Sequence, residues 1–309
     1  MSFPATVRKL TMFSALPQQA LLSQLDSGFI AEPTDRNVLQ NLWESANSSY
    51  NSCGPPTRSF AIQNDIHELN DLDQSRVENI LGRVRVYSPY DSHTTGIYNV
   101  RISKLVTPQI TINESRAEKR AKIKQGMNMT DLFDLAFESA GQPASITRQI
   151  LGMGQDGGTI LFTSYDEDTR VHHPPQYHTI PLNEMDTSSH SLESVCIPIG
   201  GGIPFGAVYR IQIAMNKSRL ILANGIHRIY RLARAGYKWC PLVVCDLIPF
   251  ELPEPFIDLP REFLLNPDSN PALITDFLND EVVIPLNYYT LLKTIRLNWN
   301  FEEYFTVLK

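Results

Sequence analysis

The run Leu220-Ile221-Leu222-Ala223-Asn224-Gly225-Ile226-His227-Arg228 constrains this chain more than any other stretch. An apolar segment is cut by Asn-Gly and followed at once by residues of helical spacing. Ile226, Ile229, Tyr230 and Ala233 recur at i, i+3, i+4 and i+7, the pattern of one buried helix face. Gly236 stands where that helix must stop, and Pro241 to Cys245 reads as a buried strand. Upstream, Val208 to Met215 and Leu220 to Ala223 read as a hairpin around Asn216-Lys217-Ser218. The unit is therefore hairpin, tight turn, helix, strand.

Such a turn is built to meet an anion. The first four amides of a helix lack intrahelical partners, and the helix dipole adds partial positive charge there. Gly225 allows a sharp strand-to-helix change and close backbone approach, and Asn224 can satisfy an exposed amide. Arg228 offers a planar fork suited to two phosphate oxygens. His227 can donate a hydrogen bond from either ring nitrogen. His227, Arg231 and Arg234 share the polar face of the helix, with Arg228 beside them. Together they describe a phosphate site. The competing structural reading is a solvated basic face behind an ordinary strand-to-helix turn.

These residues resemble a known superfamily. A hairpin strand ending in Gly-X-[His/Glu/Thr]-Arg, a helix ending in Ala-Gly and a following Val-Pro-type strand mark the ParB/sulfiredoxin proteins. Here the elements are Leu220 to Arg228, Leu232-Ala233-Arg234-Ala235-Gly236 and Cys240-Pro241-Leu242-Val243-Val244. Val100 to Pro108 looks like the family's earlier strand with its proline exit. The resemblance implies an α+β fold, a mixed sheet flanked by helices. It also implies a nucleotide, ATP or CTP with Mg²⁺, whose phosphates contact Gly225, His227 and Arg228, with Asn224 supporting the turn and Arg231 one turn further on. Three departures narrow the chemistry. Ile226 stands where sulfiredoxins carry the reactive cysteine, so peroxiredoxin repair is not expected. The glutamate of the partition proteins is replaced. Asn224 stands where the free-serine kinases carry an aspartate, with a spacing different by one residue, so kinase chemistry of that type needs another acid.

The rest of the chain reads as dressing on this core. Residues 1–95 carry mainly helical patterns, at Pro17 to Leu25, Val38 to Ala46 and Asp73 to Leu81, before an alternating Arg83 to Tyr87 that suggests a strand. The core is expected over 96–249. It includes an extended Ile97 to Leu105, a basic helix at Ser115 to Lys124, a helix at Met129 to Ala140 and a strand at Thr159 to Thr163. An irregular excursion covers 166–190. Residues 250–309 read as a proline-punctuated linker and then a helical appendage with an aromatic tail, a candidate contact for a protein partner.

Other clusters are weaker. Asp166, Glu167, Asp168, His172, His173 and His178 have the ligand types for a divalent metal, or for the acid missing at the turn, but the favoured reading is an exposed polar loop. Gly200-Gly201-Gly202 lacks the Lys and Ser/Thr of a P-loop. The four cysteines match no zinc spacing, and a disulfide scaffold is implausible at 309 residues, so reduced thiols in a cytoplasm are expected. The formal net charge of −6 does not favour nucleic acid, and no segment has the roughly 20 apolar residues of a membrane span. The expected function is nucleotide binding, as a phosphotransferase, hydrolase or nucleotide-gated switch. The alternatives are a non-catalytic interaction module that keeps the fold, and a nuclease-like or nucleic-acid-binding protein.

Overall fold

The computed structural model describes residues 6–15, 30–31, 35–69, 72–85, 95–120, 122–137, 147–154, 157–164, 170–171, 177–181, 194–200, 205–252 and 258–300. In chain order the elements begin with β1 (Thr6–Thr11), α1 (Arg36–Asn51), β2 (Ile66–His67), α2 (Gln74–Val84), β3 (Thr95–Arg101), β4 (Leu105–Val106), β5 (Thr111–Asn113), α3 (Glu114–Arg120) and α4 (Met129–Phe137). Then come β6 (Thr147–Gly154), β7 (Gly157–Ser164), β8 (Arg170–Val171), β9 (Tyr177–Pro181) and β10 (Ser194–Gly200). The chain continues with β11 (Ala207–Ala214), β12 (Lys217–Asn224), α5 (Ile226–Arg234), β13 (Trp239–Leu247), α6 (Arg261–Leu265), β14 (Ile284–Tyr289) and β15 (Lys293–Asn300). The class is α+β.

Two compact units form. One comprises Met1–Ala140 and Ile203–Thr290; the other comprises Gly141–Gly202 and Leu291–Lys309. The first unit is built on a six-stranded mixed sheet in the order β2-β3-β13-β11-β12-β4. The β11–β12 hairpin sits inside it, with β13 parallel to β11 and β4 parallel to β12. The hairpin's turn is Met215-Asn216, and Asn216 takes a positive φ of 58°, which an asparagine tolerates. Leu220, Ile221, Val243 and Cys245 are buried, so these central strands read as continuous apolar runs rather than alternating ones. A second sheet, β14-β1-β5, is antiparallel and joins the beginning of the described chain to Ile284–Tyr289, the last strand of the first unit.

The helices follow their sequence signals. Asp35 caps α1 by accepting from the Asn37 amide at 2.8 Å, and Asp73 caps α2 by accepting from Ser75 at 2.9 Å. In α2, Val77, Ile80, Leu81 and Val84 are buried at i, i+3, i+4 and i+7. That helix runs through Arg83 and Val84, where an alternating strand was expected. The alternation there is too short to compete with a helix already nucleated and buried on one face. Residues 86–87, and the expected helix at Pro17 to Leu25, lie outside the described residues.

The second unit holds an antiparallel sheet, β15-β7-β6, and the ladder β8-β10-β9. β7 is its centre, with Ile160 and Phe162 fully buried. The stretch expected to be an irregular excursion thus contains strands β8 and β9.

The largest correction concerns 250–309. After a 3-10 turn at Ile274–Leu278, the chain forms strands β14 and β15, not a helical appendage. Ile284, Leu286 and Tyr288 are buried in alternation with Pro285, Asn287 and Tyr289, which is a period of two. The N-terminal section is likewise not only helical, because β1 supplies the strand between β14 and β5. No helix among the described residues is long and apolar enough to cross a membrane.

Candidate functional site

Strands β4 and β12 lie side by side and parallel, pairing Leu105 with Leu220 and Val106 with Ile221. Both end at the same edge of the sheet, and each is followed by a turn into further structure. β12 passes through Asn224-Gly225 into α5. β4 passes through Thr107 to Ile110 into β5 and then α3. The carboxyl ends of neighbouring parallel strands are where open mixed sheets leave room for a ligand.

The two exits are joined by His227. Its Nε2 accepts a hydrogen bond from the backbone amide of Asn113 at 3.2 Å. Asn113 in turn caps α3, its Oδ1 accepting from the Arg116 amide at 3.0 Å. An Nε2 that accepts carries no proton, so the imidazole is neutral with its proton on Nδ1. The expectation that either nitrogen can donate is corrected: Nδ1 is the donor.

Gly225 has φ +93° and starts α5 with no side-chain cap. The helix closes its first bond from the Ile229 amide to the Gly225 carbonyl at 3.0 Å. A Cβ on Gly225 would stand 3.0 Å from the Gly206 Cα. The glycine is therefore required twice, once by its left-handed backbone and once by a close approach of the strand ends. Asn224 does not cap the helix; its Nδ2 donates to the carbonyl of Phe205. The helix ends in a Schellman motif, with Tyr237 N–H bonded to Leu232 O at 3.1 Å and Gly236 N–H to Ala233 O at 3.0 Å.

Arg228 departs most from expectation. It does not share the polar face of α5 with His227, Arg231 and Arg234. Only 8% of it is exposed, and its Nη1 donates to the carbonyl of Ala136 in the last turn of α4. The buried stripe is Ile226, Arg228, Ile229, Tyr230 and Leu232, while Ala233 is only half-buried. An arginine reaches the core because α4 ends there with carbonyls that lack intrahelical partners.

Arg231 is half-buried, its Nε enclosed without a hydrogen-bond partner. Arg234 is half-exposed and lies 3.4 Å from Glu114, which also pairs with Arg8 at 3.1 Å. Burial raises the Tyr230 hydroxyl above its ordinary range, opposed by Arg234 and Arg231 and reinforced by Glu114. Glu114, the first residue of α3, is thus an acid that meets this face of α5. Sequence spacing could not find it, because it sits on a different helix.

The remaining candidates are less informative. Burial pushes the Cys240 thiol up to about 12 and raises Cys245, which leaves neither poised as a nucleophile. Asp166, Glu167, Asp168, His172 and His173 lie outside the described residues, and His178 falls in β9. Gly200 ends β10, and 201–202 lie outside the described residues. Among the described residues no group of three or more His, Cys, Asp or Glu is arranged to hold a metal ion. Comparison with known proteins leaves the chain on its own residues: no family model, no curated protein and no solved structure matches it.

Proposed function

We propose that this protein binds the phosphates of a nucleotide, in the manner of the ParB/sulfiredoxin proteins, at the Asn224–Arg228 turn. The observation that carries the reading is the pairing of two parallel strand ends, β4 and β12, around an uncapped start of α5 with His227 between them. The donors are the first-turn amides of α5 and His227 Nδ1, with Arg231 further along the helix. Arg228 contributes by holding the turn, not by gripping phosphate. Mg²⁺ would arrive with the nucleotide and shield its charge. ATP and CTP titrated by calorimetry, with and without Mg²⁺, test the proposal. Binding that weakens about tenfold in His227→Ala supports it. No heat from either nucleotide with a folded protein rejects it.

A second reading, an interaction module that keeps the fold without catalysis, is favoured by one observation. Asn224, which has no carboxylate to act as a base, is occupied with Phe205, and Glu114 is held between two guanidiniums. Nucleotide that binds without being hydrolysed or transferred, over hours with Mg²⁺, is the outcome this reading requires.

A further inference from the structure

The Asn224–Arg228 turn holds the first unit on either side of the segment 141–202, which the second unit shares with Leu291–Lys309. The second unit begins at Gly141, and the chain returns to the first at Ile203. Arg228 holds the carbonyl of Ala136, 92 residues away in sequence, in the last turn of the helix before that departure. Asn224 holds the carbonyl of Phe205, 19 residues away, just after the return. Gly225 packs its backbone on Gly206 at the same point. One five-residue turn therefore grips both stems of the segment 141–202.

The grip on each side is specific. The Ala136 carbonyl is among those a helix leaves unpaired at its negative end, and a guanidinium satisfies it with a charge-assisted bond. On the return side, the Asn224 amide and the Gly225–Gly206 contact fix the chain as it enters β11. A Cβ on Gly206 would meet the Leu242 side chain at 2.6 Å, so this stem is closely seated against β13 as well.

We propose that this turn is a clasp that sets the order of the two stems of the segment 141–202, and that phosphate bound at the start of α5 tightens it. The ligand's part rests on the phosphate-binding reading above; the clasp does not. An anion that hydrogen-bonds to the first-turn amides restrains the backbone that carries Asn224 and Arg228. The restraint passes to Ala136 and Phe205 through those side chains. Linkage makes the effect reciprocal: a loosened stem weakens the ligand.

The test is hydrogen exchange on the full chain, read at 132–137 and 205–209, with and without ATP or inorganic phosphate. Arg228→Gln should speed exchange at 132–137 about tenfold, and Asn224→Ala should do so at 205–209. ATP should slow exchange in both stems of the wild-type chain, and neither variant should recover protection in the stem it has released. If Arg228→Gln does not fold, the half-buried Asn224→Ala decides. Unchanged exchange at 205–209 in a folded Asn224→Ala overturns the clasp. Calorimetric binding of ATP with no protection of either stem overturns the coupling and leaves phosphate binding intact. Loosened stems in the variants without binding of any phosphate uphold the clasp and remove the phosphate reading.

Discussion

Arg228 on α5 donates to the carbonyl of Ala136 at the end of α4, at 2.5 Å and almost out of reach of water. A second arginine of the same hairpin–helix unit behaves alike. Arg219 on β12 is fully buried and donates through Nη1 to Leu264 O at 2.6 Å, in the last turn of α6. It also reaches the Ser269 carbonyl at 2.9 Å and the Ser269 hydroxyl at 3.1 Å. Burial pushes Arg219 down to about 10, which leaves it charged at neutral pH. Two guanidiniums thus close the negative ends of two helices around one sheet.

Replacing Arg219 by methionine should remove about 3 kcal/mol of stability, because it strands buried carbonyls that water cannot reach. Urea unfolding measures the loss. Arg219→Lys should recover little of it, since one ammonium cannot span Leu264 and Ser269 as the fork does.

Gly225 and Gly236 both take positive φ, +93° and +84°, but only Gly225 has a close neighbour at its missing Cβ. Gly236→Ala should cost about 1 kcal/mol, the conformational term alone. Gly225→Ala should cost about 2–4 kcal/mol, because it adds the clash with Gly206. Equal unfolding midpoints for the two variants would contradict the close approach.

Asp258 gives a pH dependence. Burial raises its carboxyl above the ordinary value of 3.8, partly offset by the Ile110 amide and Lys9. Between that value and the raised folded one, the folded state holds a proton that the unfolded state has lost. Stability from this group therefore falls as pH rises through the window, and it is recovered in acid. Asp258→Asn should raise the melting temperature at pH 7, by a margin that shrinks towards pH 4. Asparagine keeps an oxygen for the Ile110 amide, which donates to Asp258 at 2.9 Å.

Two ion pairs of similar appearance should differ in worth. Arg58 meets Asp276 through both terminal nitrogens, at 2.6 and 2.8 Å, with side chains 15% and 9% exposed. Asp276→Ala should lose about 3 kcal/mol, since it also strips the Leu273 amide of its 2.8 Å acceptor. Glu114 pairs with Arg8 and Arg234, which are 61% and 51% exposed. Glu114→Gln should lose at most about 1 kcal/mol, less in high salt.

The sequence by itself determined the local units whose signals are short-range. The β11–β12 hairpin, α5 with its glycine stop, and β13 were legible because each is specified by periodicity and turn chemistry over a few residues. The α+β class follows from the same signals. Tertiary structure decided everything that depends on distant partners. Ile284 to Tyr289 became a strand because β1, at the far end of the chain, offers an edge to pair with. Arg228 turned inward because α4 ends beside it, and Glu114 met Arg234 because α3 packs along α5. Spacing tells which residues share a helix face. It does not tell which face is covered, and that is why the turn could be found as an anion site while its role in holding Ala136 and Phe205 could not.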